Sequence, residues 1–246
     1  MQQLLQGFRR VSEQVTDGGE KCAEKQFRGF EQLLCDFRMA VERWRRSQER
    51  TADDFNFLDV MQVTGRETMH SSVLAWLLAH DIEGLGTHAQ GPLGLKLFLA
   101  EIGLSPAYAS ADNDYWVRTE VSGDESRIDV EVACRSKFLI RIETKIWSKE
   151  GVGQTAREWR DSERRAAHMK IPVGHIHAYF LSPSGGMPEH NKFDSISWSQ
   201  IARVFEEFAD RAKPPEVKMF SSHYARALRK SIAQPKETEP IENGAI

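Results

Sequence analysis

No stretch of this chain stays apolar long enough to cross a bilayer. The longest such run, Val73-Leu74-Ala75-Trp76-Leu77-Leu78-Ala79, is far short of the roughly 20 residues that a membrane helix requires. Cysteine is scarce as well. Cys22, Cys35 and Cys134 lie far apart and form no CxxC pair, which excludes a disulfide framework and argues against a zinc site. His80, His88, His175 and His177 show neither HxxxH nor HExxH spacing, so they add no zinc ligand set. The opening MQQLLQGFRR contains no apolar signal core, and free thiols fit a reducing compartment, so a cytoplasmic protein is expected. Neither sign of charge dominates: 33 Lys and Arg stand against 36 Asp and Glu, a net charge of -3. The strongly basic balance of many nucleic-acid proteins is missing, which leaves local basic patches as the means of steering a polyanion. The glycine-rich stretch GLGTHAQGPLG over 84–94 follows no strand and ends in no GK[ST], so it is no phosphate loop. Internal repeats and low-complexity tracts are absent.

What remains is an ordinary globular composition, 40% hydrophobic and 28% charged over 246 residues, ample for a core without staples. In residues 20–50, Ala23, Phe27, Phe30, Leu34, Phe37, Val41 and Trp44 recur at spacings of 4, 3, 4, 3, 4 and 3, with Gly29 the sole interruption. This heptad-like stripe predicts one long amphipathic helix. Its seam is expected to pack on the chain's own main domain, with a homodimer through 23–44 as the alternative. Arg43, Arg45, Arg46 and Arg50 at its end suit the helix dipole.

Helices are predicted over 66–79 and 92–102, the second opened by Pro92. Strands are predicted over 115–121, 127–133 and 137–146. A helix over 152–168, a strand over 174–182 and a helix over 198–211 follow. This order implies an α/β fold, a mixed sheet flanked by helices. The domain division is a helical extension over 1–65, a main domain over 66–212, and a C-terminal part over 213–246, comprising a short basic helix at 221–232 and a tail expected to lack order.

The chemistry concentrates in two of these strands. Along Phe138-Leu139-Ile140-Arg141-Ile142-Glu143-Thr144-Lys145, alternation puts Arg141, Glu143 and Lys145 on one face and the β-branched and aromatic residues on the other. Along Arg127-Ile128-Asp129-Val130-Glu131-Val132, it puts Asp129 and Glu131 opposite Ile128, Val130 and Val132. Pairing Ala133 with Lys137 around a loop of Cys134, Arg135 and Ser136 would set Asp129 across from Arg141 and diagonal to Glu143, on one face. Two carboxylates with a lysine beside them suit a magnesium ion that keeps several waters and also meets a phosphate. Such an ion lowers the pKa of a bound water, and the lysine can stabilise developing negative charge.

The segment SRIDVEV, then FLIRIETKI, then EGVGQTAREW resembles the PD-(D/E)xK nuclease superfamily, particularly a bacterial branch with RID, ExK and a glutamine-bearing helix. ETMHSSVLAWLL upstream, and HAYFLSPSG and ISWSQI downstream, resemble it in the same order, so the likeness spans about residues 66–210. Ile128-Asp129 stands where Pro-Asp names the first motif, and Glu158 stands where relatives often carry tyrosine. The resemblance implies a restriction-endonuclease-like fold and hydrolysis of phosphodiester bonds, with DNA the expected substrate and Mg²⁺ or Mn²⁺ the cofactor. It also implies a role in defence against foreign DNA or in repair. The alternative is a catalytically silent nuclease-like module that binds nucleic acid or a protein partner. By position, the resemblance makes Asp129, Glu143 and Lys145 catalytic. Asp129, Glu143 and the carbonyl of Thr144 would be metal ligands. Glu67 would reach the metal directly or through water, or else serve the helix dipole. Gln154 and Arg157 are expected to face nucleic acid. His70 is expected either to touch phosphate or to be a hydrogen-bonded structural residue.

Overall fold

The computed structural model describes residues 20–52, 55–110 and 114–233, with side chains in the first helix from residue 27. The expectations for 234–246 and for the side chain of Ala23 lie outside the described residues. The chain forms two compact units that divide between Phe55 and Asn56. The first contains helix α1 (Glu20–Thr51), continuous through Gly29 as its heptad-like stripe predicts. An Arg46–Glu42 pair at 2.8 Å supports its surface. Of the apolar stripe, Leu34, Phe37 and Trp44 are exposed, so the burial expected for the seam is not found there.

In the second unit, α2 (Phe57–Val60), α3 (Glu67–Leu78) and α4 (Leu93–Glu101) precede β1 (Trp116–Ser122), β2 (Arg127–Cys134) and β3 (Phe138–Thr144). Then come α5 (Gln154–His168), β4 (Ile176–Ser182), β5 (Phe193–Ser197), α6 (Trp198–Arg211) and α7 (Pro215–Ser231). The five strands lie in chain order, β1-β2-β3-β4-β5. The first two pairings are antiparallel and the last two parallel. This is the mixed sheet flanked by helices that the element order implied. Among the described residues no helix is long and apolar enough to cross a membrane.

Strand alternation sorts the core into two layers. Val130, Val132, Phe138, Ile140 and Ile142 join apolar residues of α3, α4, α6 and α7 on one side of the sheet. Ala133, Leu139, Ala178 and Phe180 meet Trp159 and Ala166 of α5 on the other. Full burial of a large apolar side chain contributes about 1.5–3 kcal/mol, so these layers hold the sheet and fix its faces.

Three expectations need correction. The β2–β3 hairpin closes around Arg135, Ser136 and Lys137, with Cys134 paired to Phe138. Ser136 takes a left-handed φ of 60° and Lys137 N–H donates to Cys134 O at 3.0 Å. Arg141 therefore faces Glu131, and Val130 faces Ile142, which sets Asp129 opposite Glu143 rather than Arg141. Both arms moved together, so no side chain changed face. Ile128 packs with Ala133 and Leu139 instead of with Val130 and Val132. The alternation breaks at Asp129, where the facing Glu120 adopts a left-handed φ of 53°. Finally, the C-terminal helix starts at Pro215 rather than at 221, and its Tyr224, Ala225 and Leu228 are buried in the main core, because α7 offers an apolar face that α6 covers.

His70 belongs to this core and not to a phosphate-contacting surface. It is fully buried. Its Nε2 lies 2.9 Å from the carbonyl of Thr64 and its Nδ1 lies 2.7 Å from the hydroxyl of Tyr224. A carbonyl only accepts, so Nε2 carries the proton and Nδ1 accepts from Tyr224. Burial pushes its pKa down to about 4. The folded value lies below the unfolded one, so between pH 6.5 and about 4 the unfolded chain holds the extra proton and stability falls with falling pH. The loss across that window is on the order of 3 kcal/mol. His70→Gln, which cannot titrate, should flatten this slope by about one proton in urea denaturation between pH 4.5 and 6.5. A slope unchanged from wild type would contradict the assignment.

Candidate functional site

β3 carries the site because its last residues are fixed on every side. Past Thr144 the ladder ends, yet Lys145 N–H still donates to Leu181 O on β4 at 2.7 Å. The carbonyl of Lys145 accepts from the indole N–H of Trp198 at 2.9 Å. Trp198 is itself fully buried at the start of α6, where Ser197 and Gln200 cap the helix reciprocally. With its backbone pinned, Lys145 turns its ammonium to Glu143, with Nζ 2.8 Å from Oε1.

Asp129 reaches the same place from β2. Its Oδ2 accepts from Thr144 N–H and from the Thr144 hydroxyl, each at 2.7 Å. The Thr144 hydroxyl also lies 2.8 Å from that of Ser71 on α3. Glu67, at the start of α3, accepts from Ile146 N–H at 2.9 Å and from the Ser148 hydroxyl at 2.6 Å, so it grips the segment just past Lys145. On α5, Gln154 Nε2 donates to Glu143 Oε1 at 2.5 Å and to Glu158 Oε1 at 2.8 Å, while its Oε1 accepts from Gly151 N–H at 3.0 Å. The structure thus brings Asp129, Glu143, Lys145, Gln154 and Glu67 into one locality.

The remaining assignments come out differently. His70 is structural. Gln154 places its amide nitrogen on two carboxylates. Arg157 is half-buried and donates to the carbonyl of Val152 at 2.7 Å, bracing the loop before α5. Arg160 and Arg164 both pair with Glu125 at the β1–β2 turn.

Electrostatically the site holds more negative charge than its one lysine can match. Burial raises the pKa of Asp129, against hydrogen bonds from Thr144 that lower it. Burial also raises Glu143, helped by the charge of Asp129 and opposed by Lys145 and Gln154. Burial works against the Lys145 ammonium, but its bond to Glu143 keeps it above the ordinary lysine range. Glu158 is the residue that sequence reasoning missed. It is fully buried, and burial followed by the charge of Glu143 raises its pKa. The available signal was its i,i+4 spacing from Gln154. Buried Arg141 donates to Glu131 at 3.0 Å, and Arg165 closes on Glu131 through Nε and Nη2, at 2.8 and 2.7 Å.

The donors suit a hard divalent cation. Glu143 Oε2 and Glu158 Oε2 are buried with no hydrogen-bond partner, a costly arrangement for a carboxylate unless a cation satisfies it. Asp129 and Glu143 supply the oxygen ligands that magnesium prefers. Among the described residues no three His, Cys, Asp or Glu side chains form a ready-made cluster; Lys145 and Gln154 bond one oxygen of Glu143, and Thr144 bonds one of Asp129.

Two carboxylates and a lysine thus meet at the end of a central strand in a mixed sheet. Residues 55–226 match the family model of the PD-(D/E)XK nuclease superfamily, and the chain belongs to that superfamily. The match begins at Phe55, the last residue of the first compact unit, and runs into α7. No curated protein and no solved structure matches the chain.

A raised Glu143 has a consequence for metal uptake. Binding needs the charged carboxylate, so protons compete with the ion, and affinity for Mg²⁺ should climb from pH 5.5 to 8 with net proton release. Titration calorimetry in buffers of different ionisation enthalpy measures both quantities. A flat affinity without proton release across this range would contradict the electrostatic account.

Proposed function

We propose that this chain hydrolyses phosphodiester bonds in nucleic acid, with DNA as the substrate, using Mg²⁺ or Mn²⁺ held by Asp129 and Glu143. The observation that carries this reading is the buried Glu143 carboxylate, opposite Asp129, with one oxygen on Lys145 and Gln154 and the other without a partner. A divalent ion supplies a water of lowered pKa and offsets charge on the phosphoryl oxygens when bound.

The chain's own residues do the rest. Lys145 stays protonated through the neutral range, so its ammonium can donate to the attacking oxygen or to a phosphoryl oxygen as negative charge builds. Its place is fixed before substrate arrives, since both its N–H and its carbonyl are bonded. Gln154 orients Glu143. The Thr144 carbonyl is a further ligand in this reading, and Glu67, which already grips Ile146 and Ser148, takes part through water. His70, buried and bonded through both ring nitrogens, holds no role at the substrate, while Arg157 is a candidate contact to nucleic acid beside the loop it braces. Pairing of two copies through the stripe on α1 belongs to the same reading and is supported by the exposure of Leu34, Phe37 and Trp44.

Metal binding and catalysis separate in two variants. Glu143→Ala removes an oxygen ligand, so it should weaken Mg²⁺ affinity and cleavage together. Lys145→Ala removes a repelling cation, so metal affinity should hold or tighten while the single-turnover rate falls about 10²–10³-fold. Cleavage of linear, circular, single- and double-stranded substrates with Mg²⁺, Mn²⁺ or EDTA provides the reading. Wild-type rates in Lys145→Ala would return Glu143 and Lys145 to the status of ordinary charges.

A further inference from the structure

The hydrogen bonds to Asp129 and Glu143 are one-sided. On Asp129, Oδ2 takes both the N–H and the hydroxyl of Thr144, each at 2.7 Å, and all bonds to this side chain among the described residues fall on that oxygen. On Glu143, Oε1 takes Lys145 Nζ at 2.8 Å and Gln154 Nε2 at 2.5 Å, while Oε2 is buried without a partner among the described residues. The donors are themselves held. Thr144 and Ser71 are fully buried, with their hydroxyls 2.8 Å apart. A hydroxyl has one proton, and Thr144 gives its own to Asp129, so Ser71 donates to Thr144 and sets its rotor. The amide of Gln154 is fixed at both ends. Gly151 N–H meets its Oε1 at 3.0 Å, and the second hydrogen of Nε2 goes to Oε1 of fully buried Glu158 at 2.8 Å. A donor must meet the oxygen end, so the nitrogen end is turned to the carboxylates.

We infer that Thr144, Gln154 and Glu158 are positioning residues that set which divalent cation the site accepts. By tying one oxygen of each carboxylate, they leave an ion one oxygen from Asp129 and one from Glu143, and so favour Mg²⁺ over Ca²⁺. The inference rests on the metal-dependent reading and deepens it by naming the source of its cation specificity. Mg²⁺ demands a near-ideal octahedron, keeps several waters and needs only one or two carboxylates. Ca²⁺ takes about six to eight oxygens and readily uses both oxygens of one carboxylate. A carboxylate whose second oxygen is already bonded therefore withholds a ligand from Ca²⁺ and nothing from Mg²⁺. Bonds outside the ligands also fix ligand orientation, which the stricter geometry of the smaller ion requires.

The test is titration calorimetry of the full chain with Mg²⁺ alone and Ca²⁺ alone, without nucleic acid, for wild type, Thr144→Val, Thr144→Ser, Gln154→Leu and the double variant Thr144→Val with Gln154→Leu. Wild type should hold Mg²⁺ at least as tightly as Ca²⁺. Loss of a bond of this kind typically lowers metal affinity about 10- to 100-fold. Here that loss should fall on Mg²⁺, while Ca²⁺, which gains access to the freed oxygen, keeps its affinity. The ratio of Ca²⁺ to Mg²⁺ affinity should therefore rise about 10-fold or more in Thr144→Val and in Gln154→Leu, and further in the double variant. Thr144→Ser keeps the hydroxyl and should keep the wild-type ratio. A substitution that only loosened the fold would weaken both ions alike. Equal weakening of the two ions, an unchanged ratio in both single variants, or a wild type that prefers Ca²⁺ would overturn the inference. If wild type still cleaves with Mg²⁺ and Lys145→Ala does not, the nuclease reading survives that outcome. A wild-type chain that binds neither ion and cleaves no nucleic acid would overturn both.

Discussion

The contact of Lys145 Nζ with Glu143 Oε1 at 2.8 Å sets the conditions for everything around it. One ammonium sits among Asp129, Glu143 and Glu158 in a desolvated pocket, and buried charge is tolerated only where it is paired, hydrogen-bonded or neutralised. Each means is in use. Thr144 donates twice to Asp129. Gln154 spans Glu143 and Glu158 with the two hydrogens of one amide nitrogen. Burial keeps protons on Glu143 and Glu158 beyond the usual carboxylate range. In the reading proposed above, a divalent cation bound between Asp129 and Glu143 would favour their charged forms and offset that charge.

The scaffold's part is to keep that pocket from relaxing. If Lys145 were on a free loop it would swing to solvent. Its N–H is instead tied to β4 and its carbonyl to Trp198. Trp198 in turn packs edge-on against His70, with ring centroids 5.4 Å apart, and His70 is bonded to Tyr224 of α7. A path of packed and hydrogen-bonded groups therefore joins the C-terminal helix to the backbone of the site lysine, and the neutral state of His70 is a condition of that packing.

Much of this was legible in the residues. Strict alternation from Phe138 to Thr144 fixed which face Glu143 takes, since a buried apolar face leaves one choice. The separated motifs from Glu67 to Trp198 pointed to the superfamily. The hairpin register was less accessible: a three-residue loop fits at 134–136 or 135–137, and only the left-handed turn at Ser136 decides between them. β5 went unrecognised because Phe193-Asp194-Ser195-Ile196-Ser197 has two apolar residues and little β-branched content. Glu158 shows in the sequence only as a departure from the tyrosine that relatives often carry. Local sequence could not show that α5 lays that residue's face on β3 and β4, which alone turns an ordinary glutamate into a buried one. The long heptad stripe of α1 gave the helix but not its partner, because seam residues specify packing without specifying what is packed.

The most direct test of the account is the position of a bound cation. Crystals of the protein soaked in Mn²⁺ and measured at the manganese edge should show one strong anomalous peak between the carboxylates of Asp129 and Glu143, lost in Glu143→Ala and retained in Lys145→Ala. A peak elsewhere with none between these carboxylates, or an undiminished peak in Glu143→Ala, would contradict the claim that this strand end is a metal site.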